Sequence, residues 1–488
     1  MYSFKINVLS IFIASTLGLF AYPNGSSKPN EAELIPQEES KLNASFGGDI
    51  RVRQEVMHNL PYLAGANGAM KPAGSTINHI RIRPRVWGAL EWENFKFFLR
   101  LTDEIREHLV ENGKRRKDRT YNFPDELLLD NLFLEGTGLF DEFLDFRIGR
   151  QDLFGPNGSI FGLDRLVLDG TTYDGSRTTF ADMARLTFHP TENGSLDVFA
   201  MYNNSRNDLA WGTHNSRSRP LNAIHPGDSP DKDEWGGGLI WSQELFEKQL
   251  PYKTYIIYKH NESYHSPNKK HHPEKQLTTF GLRLQPKLTD ELSLDLEGAK
   301  QFGSLSNGKQ AGGWMGYAAL DYHPDFSKEI KPYAIASIYY LSGDKHSLGD
   351  NDNDTSWDPL WARAPCDSEM MQYGTLYGLG YWSNLIHPKL TLGAKFGRLH
   401  SCYISAGPMF AATQDSMGHA DGSGDSMFKG FNSVARYNFP LILAPKNAQG
   451  VRRFELFGHL MAELFNPGNY YDSTRPAYFL RWEITLKF

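Results

Sequence analysis

In the stretch HIRIRPRV, residues 79–86, arginine occupies three alternate positions, Arg81, Arg83 and Arg85, with Ile80, Ile82, Pro84 and Val86 between or beside them. A guanidinium presents paired donors in a planar fork that matches a carboxylate, and its charge does not titrate away. A row of such groups can hand a polyanion from one weak site to the next. The same odd-even logic places further cations on the arginine face: Arg51, Arg53, Arg100, Arg106, Arg147, Arg185, Arg283, Lys395, Arg453 and Arg481. Carboxylates share that face at Asp49, Glu55, Glu104, Asp145, Asp295, Glu297, Glu455 and Glu483. Many of the cations must therefore pair across strands, and only the excess is available to a ligand.

Side chains that alternate with period two belong to strands whose faces meet different surroundings. A soluble antiparallel sheet shows the same pattern on a single strand, so the repeat along the chain decides. Clear two-faced segments are DIRVRQEV (49–56), NFKFFLRL (94–101), FLDFRIGR (143–150), ARLTFHP (184–190), TTFGLRLQP (278–286), LSLDLEGA (292–299), LTLGAKFG (390–397) and FLRWEITLKF (479–488). About eighteen strands of bilayer-crossing length are expected between Phe46 and Phe488, and an even count brings both ends to one side. Charge on a lipid face costs roughly 2–4 kcal/mol at mid-depth, so Ile80, Ile82 and Val86 should face lipid and the arginines the lumen. The fold expected is all-β, a transmembrane antiparallel β-barrel.

The connections sort by length. Short ones (EWEN, LTDE, IHPK) alternate with long polar ones, 58–78, 107–125, 152–177, 204–234, 261–276, 343–371 and 403–427. Short periplasmic turns and long extracellular loops are the mark of outer-membrane barrels. Phe188-His189-Pro190, Tyr322-His323-Pro324 and Ile386-His387-Pro388 are each expected to end a strand at the periplasmic rim, with proline stopping the ladder. The last strand sets Tyr478, Leu480, Trp482, Ile484, Leu486 and Phe488 against Arg481, Glu483, Thr485 and Lys487, and this aromatic ending resembles the C-terminal signature that outer-membrane barrels present to their insertion machinery. Residues 1–21 read as a secretory signal and 22–45 as a periplasmic linker, leaving 46–488 for the barrel.

Composition excludes other classes. A chain of 488 residues with 40% hydrophobic and 22% charged residues folds, and a formal net charge of -6 argues against a nucleic-acid partner. Cys366 and Cys402 fit no zinc spacing and are placed near consecutive extracellular loops, where they could bridge. Asp350, Asp352 and Asp354 alternate as in a calcium loop but lack its glycine and closing glutamate, so neither metal nor cofactor is expected. The basic tract KRRKDR, 114–119, falls in a predicted extracellular loop, where it could meet lipopolysaccharide.

Two segments resemble the alginate export family. GRQDLFGPNGSIFGLDRLVLDGTTYDGSRTTF, 149–180, carries GRQ at a strand end and leads to Tyr173-Asp174-Gly175. LSGDKHSLGDNDNDTSWDPLWARAP, 341–365, is similar to that family's SGD loop with its Asp/Asn-rich tract. The resemblance implies an eighteen-stranded outer-membrane barrel with a cationic lumen, an anionic polysaccharide or oligosaccharide as the solute, and periplasmic export partners. A porin for small anions is the alternative, with an outer-membrane hydrolase or a structural barrel behind it.

Overall fold

The computed structural model describes residues 42–59, 63–64, 69–70, 76–103, 105–111, 126–152, 154–155, 158–159, 181–203, 210–212, 233–265, 271–344, 353–361, 368, 370, 383–397, 399–413, 427–445, 453–470 and 475–488. The chain divides into two units, Met1–Lys41 and Leu42–Phe488. The expected signal and nearly all of the expected linker, KRRKDR, Tyr173-Asp174-Gly175, Cys366, Asp350 and Asp352 lie outside the described residues.

Leu42–Phe488 forms a closed antiparallel barrel of eighteen strands. In chain order they are β1 Asn43–His58, β2 Thr76–Trp92, β3 Phe95–Asp103 continued by Ile105–Glu111, β4 Glu126–Gly138, β5 Leu144–Gln151 and β6 Ala181–Thr191. Then come β7 Gly194–Asn203, β8 Glu234–Leu245, β9 Leu250–Asn261, β10 Lys275–Leu284, β11 Leu292–Leu305 and β12 Trp314–Tyr322. The ring is completed by β13 Ile330–Leu341, β14 Leu385–Phe396, β15 His400–Phe410, β16 Phe428–Leu443, β17 Glu455–Pro467 and β18 Ala477–Lys487. Closure pairs β18 with β1 from Asp49–Lys487 to His58–Tyr478, and Gly48 and Phe488 exchange backbone hydrogen bonds at 2.8 and 3.0 Å. With no free edge, every strand has a partner on both sides.

Each strand keeps two faces. Ile50, Val86, Leu134, Ile148, Ile256 and Leu480 are exposed on the outside, as lipid-facing residues should be, while alternate residues point inward and are mostly buried. Arg81, Arg83 and Arg85 share the inward face with Arg51 and Arg53, opposite Ile80, Ile82 and Val86. The inner wall is layered. Near the long connections it is apolar and covered, at Met57, Met183, Met201, Leu341, Phe465 and Phe479. Toward the short turns it is polar and more open, at Lys96, Glu135, Arg147, Arg283, Lys395 and Lys487.

Three expectations about connections are corrected. LTDE is no turn: Leu101, Thr102 and Asp103 are in strand, and Arg85 pairs with Thr102 and Ile82 with Ile105 in one register against β2. Residues 386–389 are no turn either. Strand β14 starts at Leu385, so His387 lies at the long-connection end, buried and facing inward near Tyr339. Pro388 is tolerated because the β15 ladder skips from Ile386 to Leu390 there while the β13 pairing continues. His189 and His323 do lie at the short-turn end, at the close of β6 and β12. Cys402, the third residue of β15, also sits at the short-turn end and not near a long connection.

Candidate functional site

The densest charge lies where the first and last strands meet. Pairing sets Arg53 directly opposite Arg81, with Arg81 opposite Arg106 on the next strand, and sets Arg51 opposite Arg83. Like charges directly across a ladder are unfavourable, so this block persists only because carboxylates offset it or because it serves a purpose. Among the described residues, Arg51, Arg53, Arg81, Arg83, Arg85 and Arg481 meet three carboxylates, Asp49, Glu55 and Glu483.

Glu55 is the hub. Its Oε1 accepts from Arg481 at 2.5 Å and lies 3.1 Å from Arg53 Nε, and its Oε2 faces His79 Nε2 at 2.6 Å and Arg81 Nη1 at 3.3 Å. Glu55 and Arg53 are at 0% exposure, so the ion pairs around Glu55 are little screened by solvent, whereas Arg85 at the edge of the block is partly exposed. Asp49 holds Arg85 at 2.7 Å and Arg83 at 3.5 Å. Glu483 stands farther off, 3.8 Å from Arg51 and 3.7 Å from Arg53. Nearby, Arg436 on β16 reaches His459 at 3.3 Å.

The remaining predicted cations are held one by one. Arg100 is clasped by two carboxylates, Asp130 at 2.9 Å and Asp152 at 2.7 Å. A β-bulge at Asp130, where the β3–β4 register shifts between Arg100 and Leu101, turns Asp130 and Asn131 toward the same network. Arg100 therefore carries no surplus positive charge. Arg147 pairs with Glu135 and lies 4.7 Å from the Phe133 ring, Arg185 holds Asp197 at 2.7 Å, and Arg283 holds Asp295 at 2.6 Å. Lys395 faces inward and is exposed beside Lys331. Arg453 is exposed and precedes β17, so the parity argument does not reach it.

One part of the bore was missed from sequence. Segment 353–361 of the β13–β14 connection folds inward: Trp357, Leu360 and Trp361 are at most 2% exposed and pack with inner-wall residues such as Ile257 and Met315. Asp358 anchors it, accepting from Lys259 at 3.4 Å and Lys275 at 3.2 Å, while its backbone N–H donates to Gln301 at 2.9 Å. Asp354, a member of the calcium-like trio, accepts from Lys275 at 3.0 Å. Gly236 makes room for the segment, because a Cβ there would lie 2.7 Å from the Trp361 ring and 2.2 Å from Tyr258 O. The same connection reaches β17, where Ser368 and Met370 donate to Glu463, the latter at 3.0 Å. It is thus anchored both on β9–β11 and on β17. The available signal was Trp357-Asp358-Pro359-Leu360-Trp361, two tryptophans in an otherwise polar loop.

The GRQ triplet is structural. Gly149 has φ 126 and a Cβ there would meet Leu132 O at 2.2 Å; Arg150 grips Asp182 at 2.8 Å on the outward side, and the buried Gln151 donates to Met183 O at 3.1 Å.

No protein-family profile and no curated protein matches the chain. Solved structures similar to it include Pseudomonas aeruginosa OccK2 (OpdF) in complex with glucuronate, at 12% identity and TM-score 0.46, covering 91% of this chain and 98% of that one. Pseudomonas putida OprB is similar at 10% identity and TM-score 0.39, over 91% and 94% of the two chains. An anion-selective porin from Comamonas acidovorans is similar at 9% identity and TM-score 0.37, over 92% and 100%.

Proposed function

We propose that the chain is an outer-membrane channel that passes anionic solutes passively along the β18–β1–β2 wall. The closed barrel with its apolar outer face and polar inner face supports a membrane location, since such a barrel satisfies every backbone group inside lipid. The observation that carries the anionic reading is the juxtaposition of like charges on adjacent strands, Arg53 directly opposite Arg81 and Arg51 opposite Arg83, with Arg85 beside them the most exposed of the group. Rings or rows of one charge set which ions a pore admits. The two segments that resemble the alginate export family favour an acidic polysaccharide or its oligomers as the solute; a porin for small anions is the second reading, favoured by the inward-anchored connection, which narrows the bore.

The test is the reversal potential of the purified barrel in a planar bilayer under a salt gradient at low ionic strength, where screening is weak. Arg83 and Arg85 are chosen because their side chains are the most exposed of the block, at 6% and 22%. The double variant Arg83→Gln/Arg85→Gln should shift selectivity toward cations, whereas Arg100→Gln, whose charge two aspartates already offset, should shift it much less. An unmoved reversal potential in a folded double variant would refute the anionic reading. Block of the chloride current by added oligouronate supports the polysaccharide solute, and its absence the small-anion porin.

A further inference from the structure

Two of the short turns repeat each other in sequence and in shape. Between β4 and β5 runs Leu139-Phe140-Asp141-Glu142-Phe143-Leu144, and between β8 and β9 runs Leu245-Phe246-Glu247-Lys248-Gln249-Leu250. In both, flanking leucines pair across the hairpin and the fourth loop residue donates its backbone N–H to the carbonyl of the phenylalanine, Phe143 to Phe140 at 3.3 Å and Gln249 to Phe246 at 3.0 Å. Three successive non-glycine residues adopt positive φ in each: 54, 59 and 64 at Phe140, Asp141 and Glu142, and 52, 53 and 70 at Phe246, Glu247 and Lys248. Side chains with a Cβ avoid this region, and strain kept at two matched places is a pointer to function. The phenylalanines themselves are 77% and 73% exposed.

Their setting argues for one kind of occupant. The four turns from β2–β3 to β8–β9 expose Glu93, Asp141, Glu142, Glu192 and Glu247 against Lys248 alone, while the β10–β11 and β12–β13 turns are mixed, with Lys287 and Lys328 against Asp290, Asp325 and Glu329. Surface elements that anionic headgroups attract carry lysine or arginine beside their aromatics, and these two turns carry carboxylates there instead. An outward aromatic belt is already supplied at this end by Trp92 stacked on Phe95 at 6.3 Å and by Phe143 against Phe188 at 5.8 Å. Carboxylates at the mouth of an anion-conducting bore would also repel its solute, which leaves a protein as the group they suit. We propose that the Leu139–Leu144 and Leu245–Leu250 turns form a docking face for a periplasmic protein whose contact surface is basic and carries apolar pockets for Phe140 and Phe246. Exposed aromatic anchors that enter pockets, ringed by complementary charge, are how such interfaces gain affinity and orientation.

The proposal rests on the short turns facing the periplasm, so orientation is checked first, in a background without the two native cysteines: His323→Cys should resist membrane-impermeant maleimide on intact cells, and labelling there would overturn both the orientation and the periplasmic docking face. The docking test has two arms on the full-length barrel. A photo-crosslinking phenylalanine analogue placed at Phe140 or at Phe246 in living cells should give the same discrete protein adduct from both positions, and mass spectrometry should identify a periplasmic chain with a basic face. The adduct should fall at least tenfold when Asp141, Glu142 and Glu247 are changed together to lysine, with the barrel still inserted. In the second arm, Phe246→Trp in vesicles of brominated phosphatidylcholine should show no more quenching than the parent barrel, whose ten tryptophans, Trp92 of the outward belt among them, set the background. Quenching of the variant well beyond that of the parent would make the turn a lipid anchor and overturn the proposal, as would adducts to lipid alone, different adducts at the two positions, or none.

Discussion

Glu55→Gln is the perturbation that best tests how the arginine block is held. The residue is fully buried and contacts Arg53, Arg81, Arg481 and His79 between 2.5 and 3.3 Å, so the amide keeps its shape while one negative charge is lost among three guanidiniums. Breaking a buried pair by removing one partner costs about 3–5 kcal/mol. A second route gives a similar figure: Arg53 and Arg81 are direct cross-strand partners, ~5 Å apart, and two unit charges at that distance repel by about 3 kcal/mol at an effective dielectric of ~20. We expect the barrel to lose about 3–5 kcal/mol of unfolding free energy, read from urea unfolding in detergent by the folded-barrel gel shift. Surviving channels should be at least as anion-selective as the parent. Pairing the change with Arg53→Gln should restore a good part of the loss, because the repulsion is then relieved. A loss below about 1 kcal/mol, or no recovery in the double variant, would refute the reasoning and mean that the cluster is effectively solvated.

Two further outcomes follow from other parts of the molecule. Asp358→Ala removes the acceptor that Lys259 and Lys275 share, so the inward segment should loosen and single-channel conductance should rise; conductance equal to the parent would show that this segment does not bound the conducting path. Asp141→Gly places a residue indifferent to positive φ where an L side chain is strained, and should stabilise the barrel by about 1 kcal/mol in the same urea assay, a loss of stability arguing against strain in that turn.

Much of the wall was readable from the sequence, because strand alternation is local: one residue in two decides the face, and a mistake of one position would have put Arg81 into lipid. Each of the eight two-faced segments named from sequence falls on a strand, five of them overrunning it by one or two residues, and the closing strand does seal onto β1. The errors arose where local signs compete with the ladder. Thr102 and Asp103 look like turn residues, yet β2 and β4 on either side hold them in strand. Pro388 looks like a strand end, yet it needs only the gap in one of its two ladders.

The site was less legible, for a physical reason that separates its two halves. Which residues face inward depends on parity, but whether an inward arginine is available depends on the carboxylate opposite it, and that is fixed by register between strands distant in sequence. Arg481 meets Glu55 across 426 residues, and Arg100 meets Asp130 where a bulge shifts the β3–β4 register. From sequence Arg100 and Arg81 look alike; in the folded wall one is overmatched by two aspartates and the other stands opposite another arginine. Charge count along a strand therefore overstates the cationic lumen, and arginine stands opposite arginine at the seam where β18, β1 and β2 bring together residues from both ends of the chain. Barrel closure, which joins those ends, is what creates the site, so a variant that weakened the Asp49–Lys487 to His58–Tyr478 pairing would lose the block and the fold together.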